Sequence, residues 1–89
     1  QKEAQEGPQQ LTLFPNPAYE QLNFVFDRPF QTEEQLLIRI FDNMGKLMHS
    51  QESLTIQQGQ IDISALPAGL YFIRVDWPDG KVTGRFVKL

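Results

Sequence analysis

The sequence predicts an all-β domain, an immunoglobulin-like antiparallel β-sandwich of about seven short strands with little or no helix. Three observations predict it. From Leu11 onward, short apolar runs follow one another, and the longer ones alternate with the period of two that a half-buried strand requires. Turn chemistry separates them at short intervals, as Pro-Asn-Pro, Asp-Asn-Met-Gly and Pro-Asp-Gly. No segment of useful length carries a 3.6-residue apolar period. An immunoglobulin domain proper has a cysteine pair, and this chain has no cysteine at all.

The elements follow in order. Residues 1–10, QKEAQEGPQQ, have almost nothing to bury and are expected to form a flexible linker or a frayed terminus, the linker reading being the one that the resemblance described below extends to an upstream cargo domain. LTLF (11–14) is a brief strand stopped by Pro15 and Pro17, which lack an amide hydrogen and fix φ. QLNFVF (21–26) sets Leu22, Phe24 and Phe26 on one face. QLLIRIFD (35–42) sets Leu36, Ile38 and Ile40 on one face and leaves Leu37, Arg39 and Phe41 as a half-apolar second face.

DNMGK (42–46) reads as a tight turn, because Asn43 and Gly45 both tolerate positive φ. LMHSQ is expected to be the return strand of that hairpin. LTI and QIDIS then flank QQG (57–59), a further turn between two short strands. YFIRVDW (71–77) alternates Tyr71, Ile73, Val75 and Trp77 against Phe72, Arg74 and Asp76. Pro78-Asp79-Gly80 turns the chain, and KVTGRFVKL returns as the last strand. One edge of that strand is expected to face solvent, ready to accept a partner strand.

Composition narrows the function. The 89 residues suit one domain with a single modest core. A net charge of −3, with basic residues scattered, lacks the footprint of nucleic-acid binding or of an anionic-membrane anchor. Without cysteine there is no disulfide, no thiolate zinc site and no thiol nucleophile. His49 stands alone, Glu33, Glu34 and Glu52 form no carboxylate pair, and Ser50, Ser53 and Ser64 lack a base in the pattern. The chain is expected not to be an enzyme, and to need no cofactor, metal or small-molecule substrate. Because it starts at Gln1 rather than Met, a longer precursor is expected upstream.

Three blocks resemble a known family. LFPNPA (13–18) looks like an opening Pro-Asn-Pro motif, IRIFDNMGKLM (38–48) like a middle strand and Asp-x-x-Gly-Lys turn, and IDISALPAGLYFIRVDWPDGKVTGRFVKL (61–89) like a terminal block. Each alone is weak; together, in this order and at this spacing, they resemble the type A C-terminal sorting domain of the type IX (Por) secretion system of Bacteroidota, over residues 11–89. The resemblance implies a secretion signal that directs a covalently linked cargo through the periplasm to the outer-membrane translocon. It further implies a sortase-like protease that removes the signal and anchors the cargo at the cell surface, or its release by secretion.

On that resemblance the candidate recognition residues are Pro15, Asn16, Pro17, Asp42, Gly45, Gly69, Tyr71, Gly80 and Lys88. Each also has a purely structural reading: strand terminator for the prolines, turn for Asp42, Gly45 and Gly80, packing for Gly69 and Tyr71, a solvated edge for Lys88. The alternative function is a retained β-sandwich carbohydrate-binding or adhesion module, for which Trp77, Tyr71 and Tyr19 would be the stacking aromatics.

Overall fold

The computed structural model describes residues 10–89, so the expected linker lies, Gln10 apart, outside the described residues. Seven strands follow in order: β1 (Leu11–Phe14), β2 (Gln21–Phe26), β3 (Glu34–Asp42), β4 (Leu47–Thr55), β5 (Gln58–Asp62), β6 (Gly69–Trp77) and β7 (Gly80–Lys88). They form two antiparallel sheets, a three-stranded one ordered β1-β2-β5 and a four-stranded one ordered β4-β3-β6-β7. The described residues contain no helix.

The core lies between the sheets and is made by the alternation visible in the sequence. Leu22, Phe24 and Phe26 of β2 meet Leu36, Ile38 and Ile40 of β3 and Tyr71, Ile73 and Val75 of β6, all buried, with Ile61, Ile63 and Phe86 completing the layer. Fully burying an aliphatic or aromatic side chain of this size is worth about 1.5–3 kcal/mol, so this layer dominates the stability. One end is closed by aromatic edges. Trp77 packs T-shaped on Phe26 and Phe30 at centroid distances of 5.8 and 5.3 Å, and Phe30 in turn on Phe26 at 5.3 Å.

Two expectations about strands are corrected. LMHSQ and the Leu54-Thr55 part of LTI belong to one nine-residue strand, β4, and the expected QQG turn lies earlier, at Ile56 and Gln57, because Gln58 and Gly59 already belong to β5. Thr55 sets the reversal: its hydroxyl donates to the Gln58 carbonyl at 2.6 Å and accepts from the Gln57 and Gln58 amides at 3.3 and 3.2 Å. A Cβ on Gly59 would stand 2.5 Å from Cζ of Phe24, so glycine is present for close packing and not for a turn.

β4 hides from pattern reading because its inward residues are polar. By register His49, Gln51 and Ser53 share the face of Ile40, Ile38 and Leu36. They sit on the outermost strand of the wider sheet, only half-buried, where the narrower sheet barely reaches.

Candidate recognition surface

The Pro-Asn-Pro segment carries the chain from one sheet to the other. β1 pairs with β2, the Phe14-Pro15 and Asn16-Pro17 peptides are cis, and Ala18 then forms a parallel bridge with Lys88 of β7. Ala18 N–H donates to the Val87 carbonyl and accepts, through its own carbonyl, from Leu89 N–H, both at 2.8 Å. Asn16 extends this ladder with its side chain. Its Oδ1 accepts from Val87 N–H at 3.0 Å and its Nδ2 donates to the Arg85 carbonyl at 3.4 Å.

The expected open edge of the last strand is therefore corrected for its C-terminal half, while β7 remains the outermost strand of its sheet. Along an antiparallel strand, backbone groups point alternately toward and away from the partner, and those of Arg85, Val87 and Leu89 that turn away from β6 are taken by Asn16 and Ala18. A prolyl nitrogen could not join such a ladder, which is why Asn16 does it by side chain.

The middle motif is a three-residue hairpin loop with a bulge. Gly45, at φ +87°, donates to the Asp42 carbonyl at 3.0 Å, and Asp42 N–H donates to the Lys46 carbonyl at 2.9 Å. The Asp42 carboxylate accepts from the Met44 and Lys46 amides at 2.9 Å each. The Lys46 amide, foremost, holds Asp42 below its ordinary range. Asp62 makes a similar local cap, accepting from Ser64 N–H at 2.9 Å, and hydrogen bonding by Ser64 lowers it too.

At the Pro-Ala-Gly junction Gly69 takes φ +153°, which L side chains rarely adopt, and delivers Tyr71 to the core. The Tyr71 hydroxyl donates to the Pro67 carbonyl at 2.5 Å, and the ring stacks on Phe86 at 5.6 Å. Burial first, and the Asp42 charge second, push the Tyr71 phenol up. Pro78 and Asp79 alone form the β6–β7 turn. Gly80 is a strand residue paired with Trp77, and a Cβ there would stand 2.9 Å from that indole ring. Lys88 is half-buried beside Gly69, its Nζ donating to the Leu89 carbonyl at 3.2 Å.

Seven of the nine candidates thus have an internal structural task. Pro15 and Pro17 shape the crossing and remain exposed. The aromatics offered for sugar stacking do not gather: Trp77 closes the core, Tyr71 is buried, and Tyr19 is exposed by itself. His49 pairs with Gln51 at 2.7 Å, and among the described residues no three metal-ligating side chains cluster. A shallow depression of about 270 Å³ on the outer side of the smaller sheet is lined by Phe14, Asn23, Phe24, Gln58, Gly59 and Gln60. Its amides bond to one another, Gln60 Nε2 to Asn23 Oδ1 at 3.1 Å and Asn23 Nδ2 to the Phe14 carbonyl at 3.2 Å.

The outer face of the four-stranded sheet was not singled out by any motif. Its middle is charged: Asp76 accepts from Arg39 at 2.9 Å and from Arg74 at 3.0 Å, and the Arg74 hydrogen bond, then Arg39, lowers its carboxyl. This arrangement screens Arg39 from Arg74, which stand directly opposite each other on neighbouring strands.

These features define a class: a two-sheet immunoglobulin-like domain whose motif residues build shape and leave no assembled catalytic group among the described residues. The profile of the secretion system C-terminal sorting domain matches residues 12–89, and the chain belongs to that family, the type IX sorting signals. This family is one of sorting signals, and membership implies export to the cell surface or secretion. No curated protein matches the chain.

Solved structures share the fold. Dimeric latent PorU from Porphyromonas gingivalis is similar at 21% identity and a TM-score of 0.64, over 89% of this chain and 9% of that one. This chain therefore spans about a tenth of the PorU chain. A DUF3244 family protein with an immunoglobulin-like β-sandwich from Bacteroides vulgatus is similar at 23% identity and a TM-score of 0.67, over 89% of this chain and 84% of that one.

Proposed function

We propose that the domain is carried on a cargo polypeptide through the periplasm, is read in its folded form by the outer-membrane translocon, and is then removed by a sortase-like protease that anchors the cargo at the surface. Cleavage falls within residues 1–10, the polar stretch that precedes the first strand. The motif residues act mainly by holding the shape that is read. The observation that carries the reading is the seam between Asn16, Ala18 and β7, which joins the first and last family motifs into one folded unit.

The test is a transport assay in a type IX-competent bacterium, with residues 1–89 placed behind a signal peptide and a fluorescent protein. The reporter is expected at the surface or in the medium, freed of the domain. It should stay periplasmic when residues 80–89 are deleted or the translocon is absent. An intact fusion held in the periplasm in every strain would overturn the reading.

A further inference from the structure

We propose that the outer face of the four-stranded sheet is the surface by which the domain docks on its export partner, a protein whose contact is apolar and ringed by carboxylates. This rests on the export reading above.

The face has an apolar end and a basic surround. By register Leu47 of β4, Phe41 of β3 and Phe72 of β6 form one cross-strand row, and Leu70 and Val87 form the next. Leu47, Phe72, Leu70 and Val87 are 50%, 40%, 39% and 38% exposed and lie on three strands, with half-buried Phe41 of β3 joining Leu47 to Phe72, whereas exposed apolar residues on a monomer are normally scattered. Nothing in the packing of the core requires these side chains, because their alternate neighbours Tyr71, Ile73 and Phe86 already fill it.

Charge selects the occupant. The same face carries Arg39, Arg74, Lys81 and Arg85 against Glu52 and Asp76, while the whole chain has a net charge of −3. Arg85 lies directly opposite Phe72, at the margin of the apolar row. A second copy would bring basic rim onto basic rim, whereas a partner bearing carboxylates around an apolar centre would match both features. Pro15 and Pro17 apart, the motif residues have tasks within the fold, whereas the exposed side chains of this face have none in the core.

The export assay tests this with three variants of the full fusion. Leu70→Thr/Phe72→Thr keeps β-compatible residues and removes the apolar row; Arg85→Glu touches no core residue; Val25→Thr alters the outer face of the other sheet and serves as control. The first two are expected to lower the exported fraction about ten-fold with thermal melting close to the parent, and the control to leave it unchanged. Should the double variant melt early, Arg85→Glu decides alone.

Equal export of all variants, with the parent exported, would overturn the docking face and leave the sorting function standing. A parent that is not exported would overturn both. Two further measurements identify the wrong occupant. Sedimentation showing a parent dimer that Leu70→Thr/Phe72→Thr abolishes would make it a second copy. Retention of the purified parent, but not Arg85→Glu, on lipopolysaccharide vesicles would make it a lipid surface. Either result would overturn the proposal.

Discussion

The side chain of Asn16 is hydrogen-bonded to the backbone amide of Val87, 71 positions further along the chain, at 3.0 Å. It stands where a neighbouring strand would place a carbonyl, and its amide nitrogen, directed to the Arg85 carbonyl, stands where that strand would place an N–H. A short polar side chain between two prolines thus continues a ladder that proline cannot continue.

Replacing Asn16 by Ala removes both bonds and exposes the β7 edge to water. The expected loss is about 1 kcal/mol, or roughly 4–8 °C in melting temperature for a domain of this size. Amide hydrogen exchange distinguishes this from general loosening: protection should fall at Val87 and Leu89 first and remain at Ile38 and Ile73.

Gly59→Ala forces a methyl toward the Phe24 ring, the largest side chain at the centre of β2, and Gly80→Ala does the same against Trp77. Each should destabilise by about 1–3 kcal/mol, as overpacking does. Gly59→Ala is expected to cost more, because the Phe24 ring is fully buried and Trp77 is only half-buried. Urea melts of the two variants check the order.

Tyr71→Phe keeps the stack on Phe86 and leaves the Pro67 carbonyl without its donor. A loss of about 1 kcal/mol is expected. Near-ultraviolet circular dichroism should otherwise be preserved, since the ring stays in place.

Acid should weaken the fold in a defined window. Asp76, Asp42 and Asp62 all sit below their ordinary value of 3.8 when folded. A group whose folded pKa is depressed contributes above its unfolded value and ceases to contribute as the pH falls through the folded one. The urea midpoint should therefore hold steady from about pH 7 to pH 5 and decline below about pH 4. Asp76→Asn should lower the neutral plateau and flatten part of the decline. An unchanged slope would show that the Arg39–Asp76–Arg74 group is not its source.

Where the chain alternates large apolar residues with polar ones, the sequence was enough. The inward sets of β2, β3 and β6 were legible because each occupies a central strand with both neighbours paired. β4 was not, because polar His49, Gln51 and Ser53 occupy inward positions at the margin of the wider sheet, and a strand that buries little shows little pattern. The turn at Asp42 was legible because its bonds are local. The Asn16 seam was not, because its partner is distant in sequence and the local signal is only that of a chain reversal. Gly59 and Gly80 misled for one reason: glycine marks either unusual φ or missing space, and only the ring lying over each shows which. The exposed patch at Leu70 and Phe72 was half legible, since alternation had placed Phe72 and Arg74 opposite the core without showing that Phe41 and Leu47 continue the Phe72 row on neighbouring strands.

The bridge between Ala18 and Lys88 bears on when the domain exists at all. Residues 16–18 leave the ribosome early and wait for residues 85–89, which are made after everything upstream of them. A stalled or clipped product lacking the final five residues would have the whole hydrophobic interior of β2, β3 and β6 yet no closing seam. Completing the last strand and closing the fold are therefore a single event, and any truncation that reaches residues 85–89 opens the seam while leaving most of the interior in place.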